Sequence, residues 1–147
     1  MTNIDTDFVL NPEYVADFVR GGRSLFTIQS ENTGVRFTYK VTRAHGTQEQ
    51  RPYFVSLMTG PDNELSYSYV GVIFPGQGFR WTSKSKVTRD NKGVVAFDWF
   101  YNKVLRSDRP VPENLKVLHH GRCGRCNRVL TVPESIESGL GPICAKS

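Results

Sequence analysis

Arg36-Phe37-Thr38-Tyr39-Lys40-Val41-Thr42-Arg43 alternates apolar and polar side chains without a break. Successive side chains of a strand point to opposite faces. Phe37, Tyr39 and Val41 therefore line one face and Arg36, Thr38, Lys40 and Thr42 the other, the pattern of a sheet that is wet on one side. The same period of two runs through Leu25 to Ser30, Tyr53 to Thr59, Tyr67 to Phe74 and Phe79 to Ser83, so each of these stretches reads as a strand. Between them stand Asn32-Thr33-Gly34, Gly60-Pro61-Asp62-Asn63 and Pro75-Gly76-Gln77-Gly78, all rich in turn-forming residues, and the Asp-Asn pair is read as turn chemistry rather than as a ligand site. Five strands in series predict an antiparallel meander.

Two helices flank that sheet. Asn11-Pro12-Glu13 is an N-cap with proline at the first helical position, Val15, Phe18 and Val19 recur at helical spacing, and Gly21-Gly22 ends the helix. After the fifth strand, an Asp90-Asn91 start leads into Val95, Ala96, Trp99, Phe100 and Val104, an apolar stripe that predicts a second helix. Ser107 to Pro112 reads as a linker. The expected architecture is α+β: a mainly antiparallel five-stranded sheet with two helices in residues 1–106, a linker at 107–114, and a small C-terminal module at 115–147. At 147 residues, 38% hydrophobic and 12% aromatic, the chain can bury one core of ordinary size plus a small satellite.

All three cysteines fall in that last module, in His119-His120-Gly121-Arg122-Cys123-Gly124-Arg125-Cys126 and Gly141-Pro142-Ile143-Cys144. Three thiolates and one imidazole form the donor set of a closed tetrahedral zinc site. Cys123 and Cys126 can face one ion if the backbone tightens around them, and Gly124 and Asn127 tolerate the positive φ that such a loop needs. One short helix returns the chain to Cys144: Thr131-Val132-Pro133-Glu134 matches a capping box, and Gly139 is the stop. A segment this small cannot fold on apolar burial alone, whereas zinc ligation supplies roughly 10 to 16 kcal/mol. The zinc is expected to be single and structural. Four protein ligands leave no open position, and no His-x-Glu precedes the pair as in zinc deaminases. The competing roles are buried small hydrophobes, a redox pair and a disulfide. An odd cysteine count without a leader peptide disfavours a secreted disulfide scaffold, and a redox pair belongs at a βαβ junction that this sequence lacks. In an extended segment His119 and His120 point to opposite sides, so one faces the metal and the other solvent.

The run from Gly121 to Ile136, with Gly139-Leu140-Gly141-Pro142-Ile143-Cys144, resembles a family of short, uncharacterised zinc modules in phage and bacterial proteins. Its pattern is approximately H-x-G-x-C-x-x-C-G-R-x-L-T-x-P-x-S-I-x-x-G-x-G-P-x-C. The resemblance places the histidine four residues before the first cysteine, which implies His119 as the fourth ligand with His120 as its rival. Glycine is usual in that family where Asn127 stands, and asparagine is the next best residue for a left-handed turn. The family carries no assigned activity, so the resemblance implies a metal and a phage or mobile-element setting rather than a reaction.

Charge is unevenly spread. Residues 1–75 hold 6 Lys plus Arg against 8 Asp plus Glu, whereas residues 76–147 hold 13 against 6, which turns −2 into +7. The cations gather as Arg80, Lys84, Lys86 and Arg89 near the fifth strand and as Arg122, Arg125 and Arg128 around the knuckle. Guanidinium groups pair bidentately with phosphate, and Tyr67, Tyr69, Phe79 and Trp81 offer an aromatic sheet face for single-stranded bases. The leading expectation is a small phage-type accessory protein whose basic C-terminal half contacts DNA or RNA. The rival is a protein-binding adaptor or an inhibitor of a host defence complex. No Walker loop, His-Glu-x-x-His, paired carboxylates or nucleophile elbow occurs, so neither an enzyme nor a small-molecule substrate is expected. No apolar run near 18 residues and no charged-then-apolar leader occurs, which points away from membranes and to the cytoplasm, that of the host if the chain is phage-encoded.

Overall fold

The computed structural model describes residues 8–46, 51–59, 66–107, 110–131 and 133–141. In chain order these form β1 (Phe8–Val9), α1 (Val15–Val19, entered through a 3-10 turn at Pro12–Tyr14), β2 (Arg23–Ser30), β3 (Arg36–Arg43), β4 (Tyr53–Met58), β5 (Tyr67–Ile73) and β6 (Phe79–Trp81). There follow α2 (Lys92–Asp98, continued by a π-helical segment at Trp99–Leu105), β7 (Leu115–His119) and α3 (Pro133–Ser138). The strands make a sheet in the order β1-β7-β2-β3-β4-β5-β6. The α+β class and the antiparallel character agree with the sequence reading, but the sheet has seven strands, not five. The five expected strands are β2 to β6, in meander order. The additions are β1, whose two residues are too short to show a period, and β7, which opens the C-terminal segment and pairs with both β1 and β2. The turn expected at Gly60 to Asn63 lies outside the described residues, as do Asp108, Arg109, Val132 and Cys144.

Two compact units divide the chain: Met1–Thr38 together with Pro112–Ser147, and Tyr39–Val111. In the first, the Asn11 side chain accepts the Glu13 amide at 3.1 Å, and Val15, Phe18 and Val19 are buried. Asn11 also holds α3, since its amide donates to the Glu137 carbonyl at 3.0 Å. Phe18 packs edge-on against Phe26, their ring centroids 6.4 Å apart. Thr38, expected on the wet face of β3, is instead buried, and its hydroxyl shares a 2.6 Å hydrogen bond with that of Thr27. A buried hydroxyl pair satisfies itself where water is absent.

The second unit is built around Phe97, whose ring lies 4.9 Å from Tyr39 and 4.8 Å from Phe79 by centroid. Asn91 caps α2 by accepting the Gly93 amide at 2.8 Å. The buried stripe is Val94, Phe97, Phe100, Tyr101, Val104 and Leu105, while Val95 and Trp99 are 54% and 42% exposed. This corrects the expected stripe. The helix is apolar around much of its girdle, so periodicity alone does not choose its inner face; the fit of Phe97 among the sheet aromatics does. Asn102, in the π-helical segment, accepts the Phe79 amide at 2.7 Å and donates to the Phe79 carbonyl at 3.1 Å, so one amide side chain substitutes for a strand partner at the start of β6.

The Tyr39 hydroxyl is buried and donates to the Gly93 carbonyl at 2.7 Å. Tyr39→Phe removes that bond while the carbonyl keeps its helical partner, and urea denaturation should show a loss of about 0.5–1.5 kcal/mol; unchanged stability would show that this bond does not tie α2 to β3.

Candidate metal centre and basic surfaces

The Cys-x-x-Cys segment is a tight hairpin. Arg122 and Val129 bridge antiparallel, the Cys123 amide donates to the Arg128 carbonyl at 2.8 Å, and the Asn127 amide donates to the Cys123 carbonyl at 2.9 Å. The left-handed residue within it is Asn127, at φ 65°. Gly124, expected to share that role, is required for a different reason: a Cβ there would stand 2.8 Å from a Phe18 ring carbon and 2.9 Å from the Phe18 carbonyl oxygen. The Gly124 carbonyl accepts the Arg23 amide at 2.8 Å, and its amide donates to the Gly139 carbonyl at 2.9 Å. The hairpin thus lies backbone to backbone against the end of α1 and the end of α3. Gly139 ends α3 at φ 73°, as the sequence predicts.

The Cys123 sulfur is buried and collects backbone hydrogens. The Arg125 amide donates to it at 3.4 Å and the Gly141 amide at 3.3 Å. Burial on its own raises the thiol, but the amides of Gly141, Cys126 and Arg125 and the Cys126 side chain outweigh it and bring it down to about 7. Cys126 is exposed and adjoins Cys123 through that side-chain contact. Among the described residues no third His, Cys, Asp or Glu joins the two cysteines.

His119, the ligand favoured by the resemblance, is fully buried at the end of β7. Its Nε2 lies 2.6 Å from the Ile136 carbonyl and its Nδ1 accepts the Gly121 amide at 3.0 Å. An imidazole that donates through Nε2 and accepts through Nδ1 has no lone pair left for a metal. Its ring stacks 5.5 Å from Phe8 and sits 5.7 Å from Phe18. Burial, helped by the neighbouring His120, lowers its pKa against the pull of the Ile136 bond. His120 follows β7 and is half-buried.

Arg122, Arg125 and Arg128 are exposed on the hairpin, and the Arg122 guanidinium donates to the Asn127 carbonyl at 3.1 Å. Arg80, Lys84, Lys86 and Arg89 are exposed in the other unit. Counted by unit, Tyr39–Val111 holds 11 Lys plus Arg against 6 Asp plus Glu, and the other unit holds 8 against 8. The full net charge of +5 therefore resides in the unit without the cysteines. The aromatics expected to form one sheet face divide. Phe79 packs on Phe97, and Trp81 lines a shallow cavity of about 320 Å³ with Arg89, Val94, Val95, Trp99 and Lys103. Tyr69 instead meets Phe54, which the sequence reading missed. The available signal was an aromatic ring at the polar phase of a strand, between Tyr53 and Val55.

The profile of a family of unknown function, DUF6011, matches residues 114–147. The match covers β7, the hairpin and α3. No curated protein and no solved structure matches the chain. No helix among the described residues is long and apolar enough to cross a membrane.

Because Gly124 is pinned by its neighbours, Gly124→Ala forces α1 and the hairpin apart. A melting curve should show a loss of about 1–3 kcal/mol, and a variant of unchanged stability would show that the hairpin does not pack there.

Proposed function

We propose that the C-terminal segment is a structural zinc module within a small phage-type accessory protein that contacts nucleic acid. The observation that carries the metal is the Cys123 sulfur, ringed by backbone amides that favour a thiolate, the form in which cysteine ligates metals. Cys126 adjoins it. Gly141, one of the amide donors, precedes Cys144 by three residues, a reach of at most about 11 Å along the chain, so Cys144 is the third thiolate. With both nitrogens of His119 taken up by the backbone, His120 is the imidazole left for the fourth position; it does not stand with the two cysteines among the described residues, so ligation requires the turn after β7 to bring it to them. Such a metal holds the hairpin, α3 and the end of β7 in one arrangement and takes no part in a reaction.

The nucleic-acid reading rests on charge. Three exposed arginines at every third position are displayed by the hairpin, and the unit Tyr39–Val111 carries an excess of five cations. Guanidinium pairs with phosphate through two parallel hydrogen bonds.

One zinc per chain should be released by chelator, with a fall in melting temperature. His120→Ala should weaken zinc retention while leaving metal-free stability intact, whereas His119→Gln should lower stability with and without metal. Zinc loss confined to His119→Gln would reassign the ligand. Reversing the charge of Arg122, Arg125 and Arg128 should weaken nucleic-acid binding and flatten its salt dependence without unfolding the chain; binding insensitive to both salt and these changes would remove the hairpin from the interface.

A further inference from the structure

Resting on the nucleic-acid reading above, we infer that the face of β3–β6 turned away from α2 is a stacking platform for single-stranded nucleic acid, with Phe54 and Tyr69 taking bases and Lys40 and Arg80 taking phosphates. Residues directly opposite in an antiparallel pair share a face. Phe54 pairs with Thr42 on one side and Val72 on the other, and Val72 in turn with Arg80. Beyond a register shift at Val55/Ser56, Ser56 pairs with Lys40 and Tyr69, and Met58 with Tyr67. Phe54, Tyr67, Tyr69, Lys40 and Arg80 therefore lie on one side of the sheet, while Tyr39 and Phe79 hold Phe97 on the other.

On that side Phe54 and Arg80 are exposed, while Tyr67 and Tyr69 are half-buried. Phe54 is 42% exposed, and its ring stands edge-on to Tyr69 at 6.3 Å and 66°. The Tyr69 hydroxyl accepts the Thr82 hydroxyl at 3.1 Å, which fixes the ring in place. Lys40 places its ammonium 4.4 Å from the centre of the Tyr67 ring, so a cation sits beside the aromatic row. Arg80 is exposed at the other margin.

An exposed Phe54 ring beside a half-buried Tyr69, with cations at the margins, on the unit that carries the whole net charge, matches an anionic polymer with flat apolar faces. Unpaired bases have such faces free, whereas in a duplex they are stacked away from the protein. Double-stranded nucleic acid would use the cations and leave Phe54 idle.

The test uses the full zinc-loaded chain and a fluorescein-labelled oligothymidine of about 16 nucleotides, with a duplex of equal length as competitor, read by fluorescence anisotropy. The single strand should bind more tightly than the duplex. Phe54→Ala should weaken it about tenfold, as loss of one stacked base does, with the salt slope unchanged; Lys40→Gln should instead reduce the salt slope. Phe54→Leu keeps the apolar bulk of the site and should lose affinity like Phe54→Ala, with melting temperature as the control for folding. If the oligonucleotide binds and Phe54→Ala and Phe54→Leu leave its affinity unchanged, the platform is refuted while the nucleic-acid reading stands. Equal affinity for duplex and single strand refutes the single-strand assignment. No binding of either refutes both.

Discussion

The sulfur of Cys123 is where three parts of the chain converge. The hairpin contributes the Arg125 amide, the segment after α3 contributes the Gly141 amide, and neighbouring Gly124 holds the hairpin against α1 through backbone contacts that admit no Cβ. Each contact is weak alone, since a sulfur acceptor and a glycine backbone supply little apolar area. Together they fix the path of a segment that, among its described residues, buries only Leu130 and a few other side chains. A small polar lobe held by its backbone is the situation in which a metal contributes most to folding.

The two units have different characters. The unit that holds the cysteines is electrically balanced and spends its aromatics on internal packing, with His119 fixed between Phe8 and Phe18. The unit Tyr39–Val111 buries one aromatic cluster around Phe97 and leaves a second, Phe54 with Tyr69, on the other side of its strands. Under the proposed platform its excess of cations acquires a physical role, because an exposed ring next to positive charge favours a ligand that is flat, apolar in part, and anionic. On the proposed reading, structural chemistry lies in one unit and charge-driven recognition chiefly in the other.

Much of this was legible in the residues, and the exceptions have physical causes. β2 to β6 were readable because half-buried strands impose a period of two, and Asn127 and Gly139 because a left-handed φ restricts residue type. Phe8–Val9 is too short to carry any period. The inner face of α2 was misread since Val95 and Trp99 are as apolar as the side chains that won the core. Spacing alone does not separate the two histidines: what meets His119 is a carbonyl on α3 and an amide in the following turn, neither of which depends on side-chain identity. Gly124 was readable as a required glycine, but its reason is a neighbour 106 positions away in sequence, Phe18, rather than its own torsion.

The most direct test is X-ray absorption at the zinc edge of the purified full-length protein. Three sulfurs and one imidazole nitrogen in the first coordination shell are predicted. A protein that purifies without zinc, or zinc surrounded by oxygen alone, would contradict the account, because the amide cradle at Cys123 would then hold an ordinary thiol.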